Sequence, residues 1–238
     1  MAHRLLLAMH IRQASIADAY DVAAIGIAAF WNDPFSDFRF PHRDKYPEVM
    51  LRSAVQRVKQ KFYKGANVHV MVTDDSDAEW KGSEKVIGAI VLIKNAKGER
   101  AVKQSWSSWL NLQLSWLEDQ YIWHLRLDKS ISRTAPTEMA KSVAKNKLFE
   151  KWPENYLVEG LFVDQELQRR GIGGMLLEKA KDVVASDGSG LPLTLIASDQ
   201  GKGLYLKHEF KSVGRWHFGR EMYGEAMIWE PAGERVQH

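Results

Sequence analysis

The 238-residue chain contains no cysteine. This excludes a disulfide framework and a thiol nucleophile, and it removes a common donor from any zinc site, so no metal is expected. Long hydrophobic runs are also missing. The apolar stretch at the start, Leu5-Leu6-Leu7-Ala8-Met9, is short for a signal-peptide core and far too short for a membrane span. Neither sign of charge dominates: 33 basic and 30 acidic side chains leave a formal +3, too balanced for a nucleic-acid binder. Proline is sparse, no internal repeat is visible, and no linker marks a second domain. The 45% hydrophobic fraction is ordinary for one large folded unit. The expectation is a single domain over 1–238, cytoplasmic, with neither nucleic acid nor membrane as a partner.

Residues 161–176 are the most informative stretch present. The apolar run Leu161-Phe162-Val163 leads through a basic turn, Gln168-Arg169-Arg170-Gly171-Ile172-Gly173-Gly174, into a helix with Ile172, Leu176, Ala180 and Val183 on one face. The first turn of a helix has amides without intrahelical partners and the positive end of the helix dipole. With two arginines beside them, the amides of residues 169–174 suit a diphosphate, and the glycines let the ligand approach without Cβ atoms in the way. Gly-x-Gly alone leaves an ordinary surface turn open. A nicotinamide dehydrogenase fits poorly, because Gly171-Ile-Gly-Gly-Met-Leu176 lacks the third fingerprint glycine and lies late in the chain.

The flanking residues resemble the Gcn5-related N-acetyltransferase (GNAT) superfamily. Its signature, Leu-x-Val followed by Gln/Arg-x-x-Gly-x-Gly/Ala, corresponds here to Leu161-Phe162-Val163 and Gln168-Arg169-Arg170-Gly171-Ile172-Gly173. A second feature follows at the right separation: the run Leu191–Ile196, Ala197-Ser198, Gly201-Lys-Gly-Leu-Tyr205 and Phe210. The detailed likeness covers about residues 156–218, and its overall flavour is that of fungal-type members with a long aromatic insert. It implies an α/β (α+β) fold, with a central mixed, mostly antiparallel sheet splayed at the signature strand and helices on both faces. It also implies acetyl-CoA as cosubstrate and direct acyl transfer without a covalent enzyme intermediate.

Hydrophobic patterning is consistent with that order. A strand is predicted over 8–14, then a helix from the capping box Ser15-Ile-Ala-Asp18 to about Phe30, stopped or bent at Asp33-Pro34. A second helix over 47–63 buries Leu51, Ala54, Val55, Val58 and Phe62, with Lys59-Gln-Lys61 read as a solvated face. Strands over 68–73 and 86–93 flank the acidic turn 74–77, and closing strands at 216–218 and 225–229 flank a turn at 219–224. Residues 95–155 form an insertion with a Trp-rich helix over 105–127. One of its stripes holds Trp106, Leu110, Leu114, Leu117, Tyr121 and Leu125; another holds Trp109, Leu112, Trp116 and Trp123. One stripe is expected to pack on the domain. The other is left to cover a substrate cleft, join a local aromatic core, or form a homodimer through this helix. The polar stretch 130–147 is expected as a helix or loop near the cleft.

The resemblance assigns roles residue by residue. Leu161, Phe162 and Val163 would offer backbone to the pantetheine arm, and Gln168 to Gly174 would hold the diphosphate. Ser198 is placed to hydrogen-bond pantetheine or acceptor, and Tyr205 to contact CoA and protonate the leaving thiolate. Glu159, the only carboxylate in the run Tyr156–Val163, is the candidate base for the acceptor amine, against a carboxylate that faces solvent or pairs with Arg or Lys on a neighbouring strand. His124, His208 and His217 are weaker candidates. The activity expected is acetyl transfer from acetyl-CoA to a small-molecule primary amine, the alternatives being a protein N-terminal or lysine acetyltransferase and a non-catalytic acyl-CoA sensor.

Overall fold

The computed structural model describes residues 9–75, 80, 82–218 and 222–231. The apolar start through Ala8, much of the acidic turn after Asp75, the first residues of the turn at 219–224 and the tail beyond Pro231 lie outside them.

A seven-stranded sheet orders as β1-β2-β3-β4-β5-β7-β6. Its strands are β1 (Met9–Gln13), β2 (Asn67–Thr73), β3 (Val86–Asn95), β4 (Asn155–Val163), β5 (Leu193–Ala197), β6 (Lys211–Phe218) and β7 (Met222–Trp229). Every neighbouring pair is antiparallel except β4 and β5, which run parallel. The sheet is therefore mixed and mostly antiparallel, as expected. β2 and β3 are almost wholly buried, which accounts for their continuous Val and Ile runs.

Helices cover both faces. On one side α1 (Ala19–Ala29) and α3 (Pro47–Tyr63) bury Val22, Ala23 and Val58 against Val68, Val70 and Val91. On the other, α6 (Ile172–Ser186) sets Ile172, Leu176, Leu177 and Ala180 on Met71, Ile90, Leu92 and Leu195. The start of α1 follows the predicted capping box. Ser15 accepts from the Ala17 amide, and Asp18 returns to the Ser15 amide at 2.7 Å while receiving both Arg12 guanidinium nitrogens at 2.8 and 3.0 Å. These bonds, Arg12 foremost, hold the Asp18 carboxyl below its usual range.

Asp33-Pro34 does more than stop α1. Asp33 accepts from the Phe35 amide at 2.8 Å and caps a short helix α2 (Pro34–Arg39), with Pro34 in the first turn, where its missing N–H is harmless. The polar stretch after residue 130 contains α5 (Ala135–Asn146), which braces β6 through hydrogen bonds from Ser142 and Asn146 to the His217 carbonyl.

The Trp-rich helix α4 (Trp106–His124) departs from expectation: a narrow polar strip holds it to α3. Gln60 donates to Ser115 Oγ at 3.0 Å and to Asp119 at 2.6 Å, and Gln56 donates to the Ser115 carbonyl at 3.3 Å. Ser115 is the buried residue of the helix and Leu112 and Ile122 are half-buried, while Trp106, Trp109, Leu110, Leu114, Trp116, Leu117, Tyr121 and Trp123 are exposed. α3 offers α4 glutamines at this crossing, so hydrogen bonding selects the polar strip.

One irregularity places the chemistry. Val91 pairs with Gly160 and Leu92 with Val158, leaving Glu159 as the extra residue of a bulge in β4. Before the bulge Tyr156 and Val158 enter the α6 core; after it Leu161 and Val163 do, and Phe162 turns to the α1 face.

Candidate active site

Beyond Tyr156–Leu193 and Leu157–Thr194, no rung joins β4 to β5. The strands part there, and the edge of β4 from Val158 to Val163 faces the gap instead of a neighbour. Backbone groups at such an edge require partners, and an extended ligand with amides along its length can supply them. Phe162 is more constrained than an apolar placeholder. Its ring lies against Gly26 of α1, meets Phe30 edge-on at 6.4 Å, and folds back over Gly160, where any Cβ would stand 2.7 Å from it.

At the end of the gap the chain makes a tight entry into α6. Arg169 and Gly171 both adopt left-handed conformations, φ 63° and 91°, and Gly171 caps the helix without a side-chain acceptor. The first-turn amides therefore remain available to an anion. Gln168 ties the turn to β4 by donating to the Val163 carbonyl at 3.2 Å. Arg170 folds back toward the Glu166 carbonyl at 3.4 Å, while Arg169 is exposed. The glycines divide their work. Gly171 serves backbone conformation, and a Cβ on it would meet nothing within 4 Å. A Cβ on Gly173 would touch Leu204 at 3.3 Å, and one on Gly174 would strike His208 Nε2 at 2.9 Å. Gly174 thus permits α6 to cross α7 (Lys202–Lys207), a packing duty the ligand-approach reading did not include.

α7 carries Tyr205, whose ring is buried edge-on against Phe210 at 5.7 Å. Burial pushes its phenol up to about 12, so it stays protonated at neutral pH. Its hydroxyl has no hydrogen-bond partner among the described residues, yet it is not sealed from solvent. Ser198, just after β5, accepts from the Gly201 amide at 3.2 Å and so starts α7; its own hydrogen remains to donate. His208 is held by Glu178 at 2.5 Å. His217 stacks edge-on with Tyr223, and His124 ends α4 in solvent.

Glu159 sits at the β4 bulge, paired with Lys61 Nζ at 3.0 Å and with its side chain 35% exposed. The pairing comes from α3 rather than from a neighbouring strand, and the setting is more polar than the apolar run of sequence implies. Around it lies a cationic group the sequence reading passed over. Arg39 and Arg57 both lie over the Phe40 ring, at 5.2 and 5.3 Å, and neither makes an ion pair among the described residues. Burial lowers the proton affinity of Arg39, with the charge of Glu159 opposing. Burial and the charge of Arg39 push Arg57 down to about 10, with Asp128 and Asp119 opposing. The helical spacing of Arg57 and Lys61, one turn apart beside the buried Val58, was the signal available in the sequence. Lys59 is solvated as expected, whereas Lys61 turns to Glu159.

The described residues include no group of His, Cys, Asp or Glu able to hold a metal ion, and no described helix is long and apolar enough to cross a membrane.

The family model for the acetyltransferase (GNAT) domain matches residues 150–221, the stretch that holds β4, α6, β5 and α7. No curated protein matches the chain. Among solved structures, the histone acetyltransferase HPA2 and related acetyltransferase of Corynebacterium glutamicum is 13% identical, with 96% of this chain and 99% of that one covered and a TM-score of 0.58. A ligand-free variant of agmatine N-acetyltransferase is 10% identical, with 94% and 99% covered and a TM-score of 0.55. At these identities the likeness establishes the GNAT fold.

Proposed function

We propose that the chain is an acetyl-CoA-dependent N-acetyltransferase that acetylates a small-molecule primary amine by direct transfer. The observation that carries this reading is the parting of β4 from β5 between an open α6 N-terminus and the unpartnered hydroxyl of Tyr205. Together these offer donors for a diphosphate, a free strand edge for an amide-bearing arm, and a proton donor. Pantetheine diphosphate joined to a thioester calls for those three.

Within this reading the thioester lies along β4, where a backbone N–H near Leu161 stabilises the charge that develops on the carbonyl oxygen. The acceptor enters from the α1 and α3 side, where Glu159 takes its proton directly or through water. Attack requires a neutral amine, and the positive charge of Arg39, Arg57 and Lys61 disfavours an ammonium beside them. The amine nitrogen bonds to the carbonyl carbon, the C–S bond breaks, and Tyr205 donates its proton to the departing thiolate.

A compact acceptor is favoured because Glu159 is already engaged by Lys61 and lies in the field of Arg39, while its strand neighbour Phe162 closes on Phe30. The broad groove of the molecule, about 580 Å³ between α1, α3 and α4, includes neither Glu159 nor Tyr205 among its lining residues. The proteins with this fold named above include one named for agmatine and one for histone, so the fold alone does not choose the acceptor. The deciding experiment follows thiol release from acetyl-CoA with a panel of primary amines and, in parallel, with peptides bearing lysine or a free N-terminus. Turnover confined to small amines is expected. Turnover confined to peptides would replace the acceptor class, and CoA binding with no acetylated product would leave a sensor.

A further inference from the structure

The outward surface of α4 is the largest feature unused by the site above. Trp106 is 74% exposed, Tyr121 61%, and Leu114, Trp116 and Leu117 each above half; Trp109, Leu110, Trp123, Leu125 and Leu127 are exposed as well. At about 100° per residue these side chains of α4 sweep roughly 200° of the helix. That arc contains no Asp, Glu, Lys or Arg. Of the acids of α4, Asp119 is held by Gln60, and Glu118 lines the α3 groove beside Arg52 and Lys59; Leu114, at the near edge of the arc, also borders that groove. Leu110, Leu114, Leu117 and Tyr121 recur at four, three and four residues, the spacing by which one helix seats in another. Trp109, Trp116 and Trp123 add a second seam at intervals of seven.

We infer that this face is the interface with a second copy of the chain, its α4 packed antiparallel on this one about a twofold axis near Leu114 and Leu117. The fractional exposures amount to roughly 1,000 Å² of surface on each copy. This exceeds the largest apolar patch typical of a monomer, and as the upper bound on what the pairing buries it stands above the ~800 Å² per partner of a stable complex. Arg133 lies over the Trp123 ring at 5.0 Å, at one edge of the arc; the seam from Leu110 to Tyr121 carries no charge of its own, can bury itself against its copy with no unpaired ion, and in a twofold pairing is used twice. Antiparallel packing sets the stacked Trp106–Trp109 pair, 4.8 Å apart, against the Tyr121–Leu125 end of the other helix. A bilayer is the poorer occupant. Helices that lie in a membrane interface carry Lys and Arg along their polar side, whereas α4 has none over its whole length.

Sedimentation velocity over about a hundredfold range of concentration tests the inference. The expected mass is twice the 27.2 kDa of one chain. Leu114→Glu combined with Leu117→Glu should give a monomer with unchanged circular dichroism and CoA affinity, since both side chains already face solvent. Because the chain has no cysteine, Leu117→Cys should cross-link cleanly on oxidation, whereas Asp182→Cys on α6 should not. A wild-type monomer at the highest concentration, or a dimer that survives the double substitution, would overturn the inference. So would a monomer that binds phosphatidylserine vesicles through the same leucines, since that outcome assigns the face to a bilayer.

Discussion

Substituting Gly173 by aspartate places a carboxylate in the first turn of α6, among the amides assigned to the diphosphate. The new Cβ would lie 3.3 Å from Leu204 Cδ2 and 3.9 Å from Val163 Cγ2, so one flexible methyl must yield by a few tenths of an ångström. The fold should therefore stand, and an acid in the first turn should favour the empty helix by about 0.3–1 kcal/mol. For the ligand the sign reverses. A unit charge about 5 Å from a phosphate costs about 3 kcal/mol at an effective dielectric near 20, so CoA affinity should fall at least about a hundredfold. Titration calorimetry with CoA, beside a thermal melt, reads both effects, and Gly173→Asn separates charge from bulk because it should lose much less. Gly174→Ala is the contrasting control: its Cβ would press on His208 at 2.9 Å, so it should lower Tm by displacing α7. A folded Gly173→Asp protein that binds CoA within about threefold of wild type would refute the placement of the diphosphate, since the charge effect alone predicts far more.

Tyr205→Phe keeps the ring on Phe210 and removes the acid, so turnover should fall roughly 10- to 1000-fold with CoA affinity unchanged; full turnover would leave Tyr205 as packing. Glu159→Gln should lower turnover roughly 10- to 1000-fold while CoA affinity is unchanged, since the amide cannot take the acceptor proton. Turnover equal to wild type would move the search to water chains. Arg57→Leu should shift the pH at which the acceptor becomes reactive upward, because one fewer cation lets the bound amine hold its proton longer; an unmoved midpoint would detach Arg57 from the acceptor. His69 is buried in β2, and burial, with the charge of Lys179 adding to it and the Arg12 backbone opposing, holds its pKa below the ordinary value near 6.5. The unfolded chain binds that proton first, so stability should decline as pH falls below about 6.5 and level off below the folded value. His69→Leu should flatten that limb in denaturant titrations.

The turn from β4 into α6 was legible because its chemistry is local: glycine, arginine and a helix start lie within seven residues. Tyr205 and Phe210 were legible for the same reason, each fixed by a short spacing after β5. The cationic surroundings of Glu159 were not, because Arg39, Arg57 and Lys61 come from helices that the sheet brings together, and Lys61 looks like any solvated lysine on an amphipathic helix. α2 was hidden behind a proline that both ends one helix and begins the next. The orientation of α4 was misjudged on a sound premise, that apolar stripes turn inward. Gln56 and Gln60 reverse it by offering hydrogen bonds where apolar packing is expected, and periodicity carries no information about what the neighbouring helix presents.

The bulge at Glu159 changes the phase of β4 as a dropped beat changes a rhythm. Up to Val158 the even-numbered residues enter the α6 core, and from Leu161 onward the odd-numbered ones do, so the strand is written in two frames joined at one residue. Excising Glu159 would restore strict alternation with Tyr156, Val158, Leu161 and Val163 all still on the α6 face, so the core has no use for the extra residue; what it gives the strand is a local bend that carries one carboxylate out to Lys61.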